Sequence, residues 1–363
     1  MAKIPKGVLK DRVRRFQNTL RNKGVDAAVI RTLSSFRYFT GFKWLRPSLL
    51  IPAEGEPLIF AVRGEEEGVR DLGWFGGITS YVEGGDLMGK VSTLIRNSRY
   101  RKVGLEFGVE RDAFILFYEM FKRLNPSVEV VDVSELTYGL RLIKDEYERE
   151  LIRCAGRVAS KVMKAVLEEV KTGLTETEIA GTVYSLLFEK GCESPLVYVN
   201  AGPHPRVHAE PLKHFRVKEG TTVVIVLSAD CEGYYANKAS TLLMEPAPRK
   251  AHDALKCARE VFEAAMDLTM VGTTFNDVMK ELDSIYGRYG FLEERIIGYT
   301  HGVGLQVEEA PITTIVPKHR FIKVAEGMAL SFVHSPLMLP GIGQVKYEET
   351  FLVGDGGLHI VTQ

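Results

Sequence analysis

The sequence has no long apolar run, no net charge and little cysteine. No stretch of its 363 residues is apolar over the roughly eighteen positions a membrane-spanning helix needs, so none is expected. The opening MAKIPKGVLKDRVRR carries charge but no apolar centre, which argues against a secretory signal. Its 47 basic residues equal its 47 acidic ones, leaving no overall field to draw in nucleic acid or an anionic membrane. Cys154, Cys192, Cys231 and Cys257 form no CxxC pair, which gives neither a zinc-binding pattern nor a disulfide framework; reduced thiols, mostly in cores, are expected. Glutamine occurs only at positions 17, 306, 344 and 363, a deficit found in heat-adapted proteins. The expectation is a cytoplasmic protein with a small neutral or zwitterionic partner. The basic stretch RNSRYRK (96–102) joins a helical to a strand pattern and reads as a solvated connector.

What is present is ordinary globular material, 45% hydrophobic and 26% charged, enough for two cored domains. Lys10 to Lys23 has helical spacing and stops at Gly24. Asp26 to Ile30, Pro47 to Pro52 and Pro57 to Val62 read as strands, and helices then alternate with the strand patterns 103–108 and 129–134. That rhythm predicts an α/β domain over 1–139, followed by a second domain over 140–363. The charged stretch 139–150 leads into a long helix from about Asp145 to Val170.

The second part repeats itself. Gly173 precedes Thr175 and Glu178, a capping box, and the helix stops at Gly191; Gly272 precedes Thr274 and Asp277, and that helix stops at Gly290. Each unit follows a long helix, about 145–170 and 248–269, and precedes strand-like segments. Two such units imply a pseudo-symmetric α+β domain with a cleft between its halves.

Several motifs then agree in order. RFQNTLRNKGVDAAVI and FRYFTGF, RLIKDEYERELIRCAG with KTGLTETEIAG, HGVGLQVEEAP (301–311), and EGMALSF with GQVKYEETFLVGDGG together resemble the pita-bread superfamily of creatinase, aminopeptidase P, prolidase and methionine aminopeptidase. The resemblance spans nearly the whole chain. It implies a creatinase-like α/β N-terminal domain, a pita-bread catalytic domain and a homodimer.

The superfamily's peptidases hold two divalent metals with two aspartates, one histidine and two glutamates. Carried onto this chain, the first aspartate falls on Val226 and the second on Asn237. The histidine falls on His301, the first glutamate on Val333 or His334 depending on register, and the last on Glu348. One carboxylate of four remains, too little negative charge to hold two dications side by side. Asp230 and Glu232 lie nearby but are expected in a turn. The resemblance therefore implies either no metal or a single divalent ion on His301, His334, Glu348 and Asn237.

In the metal-free case the chain resembles creatinase, which cleaves an amidine-type C–N bond with a histidine as acid and base. The matching residue is His208, with Glu308, Glu348 and His301 as further catalytic candidates and Asn237, His334 and Tyr234 as substrate-binding ones. Glu308 and Glu309 occupy consecutive strand positions, so only one of them is expected to face the cleft. His204 is expected in a solvated loop, and His214, His252, His319 and His359 are expected to be structural. The expected activity is C–N hydrolysis of a small amide, dipeptide or amidine-like substrate. A non-catalytic peptide- or ligand-binding homologue and a metal-dependent Xaa-Pro dipeptidase remain as alternatives.

Overall fold

The structure is a computed structural model describing residues 4–44, 48–108, 110, 114–332 and 336–363. The chain divides into two compact units, Met1–Arg141 and Leu142–Gln363.

In the first unit the strands are β1 (Ala27–Ile30), β2 (Leu49–Pro52), β3 (Leu58–Val62), β4 (Gly77–Tyr81), β5 (Lys102–Leu105) and β6 (Glu129–Asp132). They form one mixed sheet in the order β4-β3-β2-β1-β5-β6, with β2 antiparallel to both its neighbours. All four residues of β1 are buried, which explains its unbroken apolar reading. The helix α1 (Lys6–Asn22) buries Leu9, Val13, Phe16 and Leu20, one stripe at helical spacing. Glu106 is fully buried and accepts from the hydroxyls of Thr32, Ser35 and Thr137. Burial pushes its carboxyl up, against those hydrogen bonds. Pro47, which the sequence pattern assigns to a strand, lies outside the described residues.

The second unit contains the predicted repeat. Two helices, Glu146–Leu167 and Glu176–Glu189, begin with complete capping boxes at Asp145 and Thr175, and their apolar faces pack on a sheet of β7 (Leu196–Ala201), β8 (Thr222–Cys231) and β9 (Tyr234–Leu243). The helices Arg249–Leu268 and Phe275–Tyr289 follow, the latter capped by Thr274 and ended by Gly290 in the left-handed region at φ 74°. They cover a second sheet containing β10 (Thr300–Gly302), β11 (Glu309–Ile312), β12 (Ala329–Phe332), β13 (Glu349–Gly354) and β14 (Gly357–Ile360), in the order β11-β10-β12-β13-β14. Ala239 and Glu348 exchange backbone hydrogen bonds of 2.9 and 3.2 Å, and the Asn237 backbone N–H donates to Thr350 Oγ1 at 2.8 Å. These bonds hold the two sheets edge to edge. No helix among the described residues is long and apolar enough to cross a membrane.

Two expectations are corrected here. Cys154 and Cys231 are joined, with their sulfurs 2.13 Å apart, while Cys192 and Cys257 are buried free thiols. The long helix from Glu146 packs across β8 and β9 and brings together positions 77 residues apart, a pairing that local spacing cannot reveal. Asp230 is not in a turn: it is buried within β8 opposite Tyr235 and accepts from the backbone N–H groups of Glu193 and Ser194. The turn itself is Glu232 and Gly233, both at positive φ.

In the HGVG motif, a Cβ on Gly302 would lie 2.3 Å from the carbonyl oxygen of Ala310. The return of β11 against β10 therefore needs glycine at this position, where the pairing register shifts. Gly302→Ala is expected to lower the thermal midpoint by several degrees, an overpacking cost of about 1–3 kcal/mol. An unchanged midpoint would show that the β10–β11 approach relaxes freely.

Candidate functional site

Strand alternation builds one wall of a cavity. Tyr198 and Asn200 of β7 stand opposite Val226 and Val224 of β8, so the four share a face. With His208, His301, Glu308, Gln344 and Lys346 they line a cavity of about 140 Å³, closed further by Ile296 and Pro336.

His208 is carried by the loop after β7. Glu176, completely buried, anchors that loop: its carboxylate accepts from the Ala201 and Leu212 backbone N–H groups and pairs with Arg206. The Arg206 guanidinium in turn lies 4.7 Å from the Phe215 ring centroid. His208 itself has φ 47°, a left-handed conformation uncommon outside glycine. Its ring stacks on Tyr198, and its Nε2 is 3.3 Å from Glu308 Oε1.

His301 is buried in β10, with Nδ1 2.9 Å from the carbonyl oxygen of Gly302. Because a carbonyl only accepts, Nδ1 is the protonated nitrogen and Nε2 faces the acids. Nε2 is 3.8 Å from Glu308 Oε1 and 3.7 Å from Glu348 Oε1. Glu348 accepts from Ser331 Oγ at 2.7 Å and is paired at 2.8 Å with Lys346 Nζ. Thr241 fixes the Lys346 backbone on both sides, accepting from its N–H at 2.8 Å and donating to its carbonyl at 2.7 Å.

The acids respond to this charge. Burial raises the Glu308 carboxyl, but the His208 hydrogen bond and the charges of His301, His208 and Lys346 outweigh it and bring the pKa to about 2. Burial likewise raises Glu348, and the charges of Lys346 and His301 with the Lys346 and Ser331 hydrogen bonds leave it below the usual carboxylate range.

His208, His301, Glu308 and Glu348 are thus brought together. Glu309 is not part of the group: it is buried and paired with Lys144 at 2.8 Å, which matches the expected split between consecutive strand positions. Asn237 is on the same sheet face as Val226 but is not among the cavity-lining residues. Its Nδ2 donates to the Val307 carbonyl at 2.9 Å. Tyr234 is buried at the β8–β9 hairpin and does not line the cavity. His334 lies outside the described residues. Sequence reasoning missed Lys346 and Asn200. For Lys346 a signal existed, since Lys346 and Glu348 in GQVKYEE are two apart in an extended segment and share a face.

A creatinase-type α/β unit followed by a pita-bread unit with an acid–histidine–lysine cavity defines the class. The model for metallopeptidase family M24 matches residues 150–355, and that for the creatinase/prolidase N-terminal domain matches residues 12–143. The chain belongs to metallopeptidase family M24. It is 27% identical over 262 residues to the Xaa-Pro dipeptidase of Pyrococcus furiosus, covering 70% of this chain and 73% of that one. It is 25% identical over 359 residues to the Xaa-Pro dipeptidase of Lactobacillus helveticus (96% and 95%), and 24% identical over 309 residues to the ectoine hydrolase of Halomonas elongata (77% and 76%). The prolidase structure from Pyrococcus horikoshii superposes with a TM-score of 0.87 at 22% identity, covering 97% of this chain and 98% of that one, and shows the shared fold.

The depressed Glu308 pKa has a definite sign. A carboxyl lowered in the folded state adds stability above its unfolded pKa of about 4.3, and that contribution is lost as pH falls toward about 2. The urea-midpoint advantage of the wild type over Glu308→Gln is therefore expected to shrink steadily as pH is lowered from about 5 to about 3. A constant difference across that range would contradict it.

Proposed function

We propose that the protein hydrolyses a C–N bond in a small amide, dipeptide or amidine-like substrate without the paired metal centre of its family. The observation that carries this reading is Lys346 Nζ lying 2.8 Å from Glu348 Oε2, which sets a covalently tethered cation against the last metal-binding carboxylate of the family pattern. The other positions agree. Val226 has no donor atom, and Asn237 offers one neutral oxygen while its nitrogen serves Val307. Two dications would bring about four positive charges beside an ammonium, with Glu308 and Glu348 the carboxylates of the cluster, among the described residues, to oppose them. The residues present do not fit that pair of ions. The single-ion alternative depends in part on His334, outside the described residues.

In this reading Glu308 accepts the Nε2 proton of His208 and orients the ring, leaving Nδ1 as the base. Water gives a proton to His208 as its oxygen bonds to the substrate carbon. The C–N bond then breaks as the nitrogen leaving group takes that proton back. Lys346 donates to the negative charge that develops on the attacked group, an electrostatic contribution preorganised by Glu348 and Thr241. The relatives named above are two Xaa-Pro dipeptidases and an ectoine hydrolase, all hydrolases by name. The dipeptidase names also favour a second reading, a metal-dependent Xaa-Pro dipeptidase.

Metal analysis of protein purified without chelator, with turnover of Xaa-Pro dipeptides and cyclic amidines measured in excess EDTA, separates the two. Fewer than two divalent ions per chain are expected, with activity that survives EDTA and falls at least about 100-fold in His208→Ala. Lys346→Met is expected to cost a similar factor, and Lys346→Met/Glu348→Gln tests the same loss without leaving a buried unpaired carboxylate. Two tightly held ions with EDTA-sensitive dipeptide turnover would establish the second reading. Thermal stabilisation by a ligand without turnover would show a binding protein instead.

A further inference from the structure

Residues 303–308, which carry Glu308 to the cavity, connect β10 to β11 outside any strand. Glu308 Oε1 lies 3.3 Å from His208 Nε2 and 3.8 Å from His301 Nε2, so its direction depends on how this segment is fastened. Two groups of β9 fasten it. The Tyr235 backbone N–H donates to the Gly304 carbonyl at 2.8 Å, and Asn237 Nδ2 donates to the Val307 carbonyl at 2.9 Å. The second bond acts on the very peptide that contains the Glu308 nitrogen. Because a peptide unit is planar, holding the Val307 carbonyl oxygen fixes the plane from which the Glu308 side chain departs.

Asn237 is itself held. It is 1% exposed, and Thr350 Oγ1 accepts from its backbone N–H at 2.8 Å and donates to its carbonyl at 3.0 Å. The side-chain amide takes its orientation from the carbonyl it faces, since turned over it would set Oδ1 against the Val307 oxygen, two acceptors facing each other. A donor is required here, and neither an ionised aspartate nor an aliphatic side chain supplies one. Without it the half-buried Val307 carbonyl loses its partner, a cost that the peptide relieves by turning.

We propose that Asn237 is a positioning residue, its Nδ2–H holding the 307–308 peptide so that the Glu308 carboxylate meets His208. Asn237 is not among the cavity-lining residues and acts through Glu308. The inference rests on the hydrolase reading for the task of Glu308, but the pairing of Glu308 with His208 is measurable without turnover.

The test is the proton–carbon NMR spectrum of the histidine rings in the full-length protein in EDTA, with His208 assigned by His208→Ala and the half-exposed His252 as control. Glu308→Gln marks where the His208 resonance lies once the carboxylate is gone. Asn237→Leu, close in volume and without a donor, is expected to move that resonance toward the same position while His252 stays in place. Asn237→Ala, which adds no bulk, should do the same. Where turnover is found, kcat is expected to fall by up to about 100-fold with KM nearly unchanged, the cost of a slightly misplaced catalytic group. An unmoved His208 resonance in a folded Asn237 variant overturns the proposal. Failure of both variants to fold overturns it too, because Asn237 would then support the sheet framework and not the segment alone. Because the spectrum needs neither metal nor turnover, its failure is distinguishable from failure of the hydrolase reading, which the metal content and EDTA assay decide.

Discussion

The buried ion pair between Lys346 and Glu348 is the constraint on which the rest of the site depends. With Lys346 removed, Glu348 would be a nearly inaccessible carboxylate facing Ser331 and His301, and burial would push it toward its neutral form. Lys346 holds it charged, and Thr241 holds Lys346 by bonding both its backbone groups. Desolvating such a pair is expensive, and it persists where the remaining hydrogen bonds are satisfied. The same ammonium adds to the lowering of Glu308, after the larger effects of the His208 hydrogen bond and the charges of His301 and His208.

The scaffold supplies geometry from two independent directions. From one side, Glu176 and Arg206 tie down the loop that presents His208. From the other, the close approach of β10 and β11 at Gly302 sends the chain back so that Glu308 turns toward the cavity and Glu309 toward Lys144. The edge-to-edge bonds between Ala239 and Glu348 bring these parts together. Functional side chains on a loop are thus held by packed, hydrogen-bonded groups beneath it.

Much of this was legible in the sequence because it is local. The helix start near Asp145, the capping box at Thr175, the cap at Thr274 and the stop at Gly290 follow from hydrogen bonds within a few residues. The grouping of His208, His301, Glu308 and Glu348 was anticipated through motif resemblance, and the fate of Glu309 through strand alternation. Strand ends were less legible: the patterns at 103–108 and 129–134 shorten to Lys102–Leu105 and Glu129–Asp132. The chain after each enters hydrogen bonds with Asp132 and Ser134 instead of continuing the sheet.

Taken alone, then, the sequence determined the order of helices and strands, the twofold repeat of the second unit and the residue types available to its cleft, since each follows from nearest-neighbour backbone chemistry or from hydrophobic period. Only the tertiary structure decided which groups meet: Lys346 with Glu348, Cys154 with Cys231, and the Asn200 amide with the His204 carbonyl. These depend on the register between strands and on loop paths through space. Residue spacing along the chain carries no record of either.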